Sequence, residues 1–287
     1  VDTRPYYYVL PGVAVYAAFM LYPLVQAFLM SFKEFTSITG ANEWVGLANY
    51  QQVLTDPLFW RSFANTFLYS IGLVILPIVL GLGLAVIIDS TDRGSVLVRT
   101  LVFSPVVTPI VVASLLFVWI LNTEGIVNSV LVATGLVDQG VSFLGTTTWA
   151  MPSVIAMTTW QRTGYFMVIL LAGLQGIPDS VYEAARIQGK SRWKTFRYVT
   201  LPLLKPAILI TVIIGIIDSF KAFAVVFIMT GGGPANSTEI LGTYFYEVIF
   251  TNFEFGQGSA IGFILFVFSL LLSTLVLYLQ SDGGEVA

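Results

Sequence analysis

The chain has 287 residues, 56% of them hydrophobic and 10% charged, with a mean hydropathy of +0.86. A soluble domain carries about 25% charged residues, so this chain cannot cover a globule with water-compatible surface. It contains no Cys and no His, and its net charge is −3. That excludes disulfides, zinc fingers and Ser-His-Asp or thiol catalysis, and gives no pull toward nucleic acid.

Six stretches reach the roughly 20 apolar residues that a bilayer-spanning helix needs. In chain order they are Tyr8–Ser31, Asn65–Ile88, Val96–Leu121, Trp149–Leu174, Pro206–Thr230 and Ser259–Leu279. The first runs into Phe32-Lys33-Glu34 without a small-residue cleavage site, so it reads as a span and not as a signal peptide. With the N-terminus inside, Arg4, Arg93, Arg99, Arg186, Lys190, Arg192, Lys194, Arg197 and Lys205 all fall on the cytoplasmic side. Lys33 and Arg61 fall outside, and Arg162 and Lys221 lie within spans. The positive-inside rule therefore predicts an all-α polytopic membrane protein of six transmembrane helices with both termini cytoplasmic. Residues 1–287 read as a single transmembrane domain.

Charge concentrates between spans four and five, in a cytoplasmic loop over 175–205. Ser180-x-x-Glu183 has the spacing of a capping box, Pro178 stops the preceding span, and Gly189 is placed to end a two-turn helix. Ser191 is placed to cap a second short helix, which Pro202 and Pro206 are expected to end. The side-chain-poor Ala184 and Ala185 suit close packing by another protein; a basic loop resting on anionic membrane lipid is the competing reading. Gly189-Lys190-Ser191 mimics the end of a P-loop, but position 184 is Ala and a helix leads in where a strand should, so it is not a nucleotide site.

Glu183-Ala184-Ala185, Gly189 and Leu201-Pro202 resemble the EAA motif of permease subunits of binding-protein-dependent ABC importers. Trp44-Val45-Gly46-Leu47-Ala48-Asn49-Tyr50 and Thr230-Gly231-Gly232-Gly233-Pro234 resemble the carbohydrate branch, of the maltose and glycerol-phosphate permease type. Gln188 and Lys190 depart from the usual Asp and Ala, and the long outer-loop insertion of the larger maltose permease subunit is absent. The resemblance implies a type I ABC importer permease architecture in a prokaryotic inner membrane, with Glu183, Ala184, Ala185, Gly189, Leu201 and Pro202 coupling to an ATPase. It implies a second permease subunit, two ABC ATPase subunits and an extracellular solute-binding protein as partners. It further implies that ATP and Mg bind the ATPase subunits and that this chain is expected to carry no cofactor, metal or catalytic residue.

Intramembrane charge is costly and needs a reason. Asp218 and Lys221 stand three apart and can pair on one helical face, with Ser219 and Phe223 beside them. Span four supplies Trp160, Gln161, Arg162 and Tyr165. Directed hydrogen bonders beside aromatic rings suit a sugar pathway; a salt bridge locking spans four and five, with Trp and Tyr in the interface belt, is the structural alternative. Gly231, Gly232, Gly233 and Pro234, followed by an aromatic, acidic stretch, read as a flexible docking surface for the solute-binding protein or as an interfacial re-entrant segment. A stand-alone secondary transporter or channel is the alternative function, although its ion-carrying set would be thin. An intramembrane enzyme ranks last, for want of His, Cys or paired carboxylates in the spans.

Overall fold

The computed structural model describes residues 4–35, 42–90 and 94–281. Arg93, counted above for orientation, lies outside them. The helices are α1 (Arg4–Tyr16), α2 (Tyr22–Met30), α3 (Ala48–Thr55), α4 (Pro57–Asp89), α5 (Ser95–Val107), α6 (Ile110–Ile120), α7 (Ile126–Ala133) and α8 (Ala150–Gln175). They continue as α9 (Asp179–Ile187), α10 (Arg192–Thr195), α11 (Leu201–Leu203), α12 (Lys205–Phe220), α13 (Ala224–Met229), α14 (Leu241–Tyr246) and α15 (Phe255–Ser281). Wide π-helical turns join α1 to α2 (Ala17–Leu21) and α10 to α11 (Phe196–Thr200), and extend α14 (Glu247–Thr251). Three single stretches, Tyr8–Met30, Pro57–Asp89 and Phe255–Leu275, are long and apolar enough to cross a membrane. Three bent pairs bring the possible total to six.

Two of the expected spans are broken. Span three bends by 98° between α5 and α6. Its cause is local: Thr108 precedes Pro109 and is extended (φ −73°, ψ 126°), because the proline ring disfavours helical geometry in the residue before it. Span five stops at Phe220, and Phe223 (φ −143°, ψ −60°) separates α12 from α13. An all-helical chain also needs a small amendment: β1 (Lys33–Phe35) and β2 (Asn42–Trp44) form an antiparallel ribbon pairing Lys33 with Trp44.

The residues cluster in two compact units. The first combines Val1–Trp60 with Tyr244–Phe268. In it the conspicuous Trp44–Tyr50 stretch has a structural duty. Buried Asn49 donates to the carbonyls of Ser31 and Lys33, each at 2.9 Å, and Tyr50 bonds the Ser31 hydroxyl at 2.7 Å. Asp56 caps α4 by accepting from the Leu58 N–H at 2.8 Å, and its other oxygen accepts from the Tyr244 hydroxyl at 2.6 Å. Burial, and then that carboxylate, push the Tyr244 hydroxyl above its ordinary pKa.

The second unit, Arg61–Thr243 with Ser269–Ala287, is built around α8. One apolar cluster packs Tyr69, Val154, Met157 and Val226; another packs Ile88, Phe166, Leu170 and Leu204. At Gly164 of α8 the α5 backbone comes so close that a Cβ would strike the Val102 carbonyl oxygen and stand 2.9 Å from the Phe103 Cα. Small residues permit such backbone approach between membrane helices.

Candidate functional site

At the expected cytoplasmic loop, α8 and α9 meet at 69°. Helix α9 begins at Asp179, two residues earlier than the capping box requires, with Pro178 as its N-cap and no side-chain cap. Ser180 therefore lies inside the first turn and is not the N-cap, so the Ser180–Glu183 box does not form. Asp179 in the first turn and Arg186 in the last match the helix dipole instead. The glycine stop holds: Gly189 has φ +67°, its N–H bonds the Arg186 carbonyl at 2.9 Å, and the Lys190 N–H bonds that of Ala185 at 3.2 Å. These are the paired bonds of a Schellman ending.

Ala185 faces inward and is 4% exposed, while Glu183, Ala184 and Ile187 face out. Ser191 caps α10, its hydroxyl accepting from the Lys194 N–H at 3.4 Å. Pro202 does not end that helix. The preceding π turn bonds the Leu201 N–H to the Phe196 carbonyl, and the wider turn admits the proline ring within a ribbon that runs on to Leu203. The ribbon bends by 63° at Leu204, and Pro206 then sits in the first turn of α12, where a missing N–H costs nothing.

Within the spans, the ion pair joins Arg162 of α8 to Asp218 of α12 at 3.0 Å, and not Asp218 to Lys221. The three-residue spacing assumes a helix that continues, whereas α12 ends at Phe220 and Lys221 is its C-cap. There a cation complements the negative end of the dipole. Arg162, Asp218, Lys221 and Phe223 line one pocket of about 190 Å³, together with Tyr69 and Thr158.

The other four candidates lie elsewhere. Ser219 is fully buried, accepting from Ser70 and donating to the Ile216 carbonyl, each at 2.7 Å. Gln161 is 5% exposed and donates to the Thr108 carbonyl at 2.9 Å, at the break in span three. Trp160 lies against Phe117, ring centres 5.3 Å apart, and Tyr165 lies beside Phe166 at 6.0 Å. Consecutive helical residues point about 100° apart, so Trp160, Gln161 and Arg162 cannot share a surface. The same geometry would have found Thr158, one turn before Arg162 on its face.

The glycine loop after α13 is a turn held by several hydrogen bonds. Gly231 (φ +58°) and Gly232 (φ +84°) adopt conformations that favour glycine, and a Cβ on buried Gly232 would collide with the Glu239 carboxylate. Thr238 donates to the Gly233 carbonyl at 2.7 Å and shares a hydrogen bond with Thr230 at 2.8 Å. From α4, Arg61 reaches the Ala235 carbonyl and Asn65 that of Asn236, both at 3.1 Å. Gly231, Ala235 and Asn236 are exposed on this fixed turn. Among the described residues, no group of three or more acidic, His or Cys side chains is placed to hold a metal.

The model of the family described as "Binding-protein-dependent transport system inner membrane component" matches residues 78–282. The lactose transport system permease protein LacF of Rhizobium radiobacter is 34% identical over 96% of this chain and 94% of its own. The trehalose/maltose transport system permease protein MalF of Thermococcus litoralis is 33% identical over 96% of this chain and 92% of its own. The sulfoquinovosyl glycerol transport system permease protein SmoG of Agrobacterium fabrum is 31% identical over 93% and 87%. Among solved structures, a chain of a bacterial alginate ABC transporter bound to a periplasmic protein carrying alginate pentasaccharide aligns with a TM-score of 0.86. That alignment is at 21% identity and covers 99% of this chain and 96% of that one.

Proposed function

This chain belongs to the family of binding-protein-dependent transport inner membrane components, and from that premise we propose that it is the permease subunit of an ATP-driven importer of a sugar or related polyol. It works in the inner membrane with a second permease chain, two ATPase subunits and an external solute-binding protein. Relatives named for lactose and for trehalose and maltose support the substrate class.

The observation that carries the coupling role is the outward face of α9. Glu183, Ala184 and Ile187 stand exposed on a helix held at 69° to α8 and stopped by a left-handed glycine. Apolar Ile187, 87% exposed beside a small alanine, is a contact waiting for a partner's cleft. ATPase closure would push this helix, and α8 and the α10–α12 ribbon would carry the movement to the pocket at Arg162, Asp218, Lys221 and Phe223. Gly231, Ala235 and Asn236 offer the solute-binding protein a fixed turn on the other side.

Gly189→Leu should uncouple the complex. A Cβ at that position meets nothing, so the substitution acts through the φ of +67° and not through a clash. Sugar uptake in proteoliposomes, and ATPase stimulation by the loaded binding protein, should both fall about tenfold or more, the strain of a bulky left-handed residue displacing α9. Stimulation equal to wild type would refute the coupling role. Uptake by this chain in liposomes without any ATPase would instead support a stand-alone transporter.

A further inference from the structure

Along the flank of α9 that carries Tyr182 and Arg186 lies a polar cavity of about 560 Å³. Tyr182 and Arg186, one turn apart on α9, line it with Lys190 and Arg192 from the following turn. Among the described lining residues three cations face one carboxylate, Asp89 at the end of α4, and none of the three forms an ion pair among the described residues. An unbalanced cluster of this kind at a membrane surface attracts an anion.

A second observation says which sort. An apolar groove of about 530 Å³ shares Val86, Arg192 and Phe196 with the basic cavity and continues along α4 to Val79. Trp193 flanks it, 71% exposed. Gly83 forms part of its floor, where a Cβ would meet nothing within 4 Å. A free phosphate would occupy only part of the cavity and leave the groove without an occupant. A phosphate with an attached hydrocarbon chain matches both.

We propose that this composite cavity binds an anionic phospholipid of the cytoplasmic leaflet, its headgroup phosphate at Arg186, Lys190 and Arg192 and one acyl chain in the groove over Gly83. The lipid forms a wedge between α4 and the coupling helix, so membrane composition tunes how α9 is held. This rests on the reading of residues 175–205 as the cytoplasmic coupling loop.

The test uses the whole transporter complex, gently solubilised from membranes containing phosphatidylcholine and phosphatidylglycerol, with bound lipid read by native mass spectrometry. Wild type should retain phosphatidylglycerol in preference to phosphatidylcholine. Arg186→Gln with Arg192→Gln should weaken that retention by about thirtyfold, at about 1 kcal/mol for each basic group near a lipid surface. Gly83→Leu, which fills the groove and leaves every cation in place, should also lose the lipid. Val79→Phe, filling the far end, serves the same purpose if Gly83→Leu does not assemble.

Equal retention of the two lipids by wild type overturns the proposal. So does loss in the arginine variant with full retention in both groove variants, which would mean a free-anion site. A partner helix covering the groove would give no lipid in any complex, and this too overturns it. ATPase stimulation of Gly189→Leu against wild type, both in discs containing phosphatidylglycerol, reports on the coupling reading separately from lipid retention.

Discussion

Gln161 shows how much one side chain can hold in a membrane. Its amide donates to Thr108 at the break that Pro109 imposes on span three. No water is available in the hydrocarbon to replace that donor. Gln161→Leu should therefore destabilise the protein by about 1–3 kcal/mol, the cost of an orphaned buried polar group. A thermal melt in detergent checks this, and an unchanged midpoint would count against the role. The neighbouring residues could be only partly understood in advance. A salt bridge locking spans four and five was legible, and Arg162 with Asp218 is that bridge; that Lys221 stays out of it was not, because this depends on where α12 stops. Ser219 has the chemistry of a sugar ligand, yet its hydroxyl is spent on Ser70 and Ile216, and composition alone carries no record of such pairing.

At the scale of elements, hydropathy located all six apolar stretches and was blind to their direction. A window average is the same for a straight helix and for two segments at 98°. The dipeptide Thr108-Pro109 was the readable sign of that break, whereas Lys221-Ala222-Phe223 contains neither proline nor glycine and announces nothing. The glycine stop and the Ser191 cap of the loop between α8 and α12 were legible because their physics is confined to a few neighbouring residues. The Ser180–Glu183 box failed for an equally local reason, a proline two residues upstream. In the first unit, Asp56 both caps α4 and holds Tyr244. Asp56→Ala should cost about 1–2 kcal/mol, more than a cap alone in a peptide, and Tyr244→Phe should remove only part of it. Because folding raises the Tyr244 pKa, the stability linked to its proton is complete below the unfolded value near 10. It is lost as pH climbs through the higher folded value. Alkaline melts of wild type and Tyr244→Phe should converge as the pH rises past about 10, with no difference in pH response between pH 6 and 8.

For the whole molecule, the placement of basic residues predicts an orientation that labelling can test. The chain contains no cysteine, so a single introduced thiol is the only one in this chain that a reagent can meet. A cysteine at exposed Gln188 should be labelled by an impermeant maleimide only after the cells are opened, and one at exposed Asn236 in intact spheroplasts. The reverse pattern would invert the topology. The same distribution of charge explains why the fold class was readable and the cargo was not. Charge in a membrane is rare enough to mark location, while a sugar pathway is made of ordinary hydroxyls and rings that also occur as packing.

The triplet Trp160-Gln161-Arg162 has a mechanical corollary. Its members are committed to three different neighbours: the Phe117 ring, the Thr108 carbonyl and the Asp218 carboxylate. Turning α8 about its own axis by even a third of a revolution would break all three attachments at once. The helix is thus keyed like a shaft in a slotted collar, barred from spinning and left with only tilt and slide as its strokes.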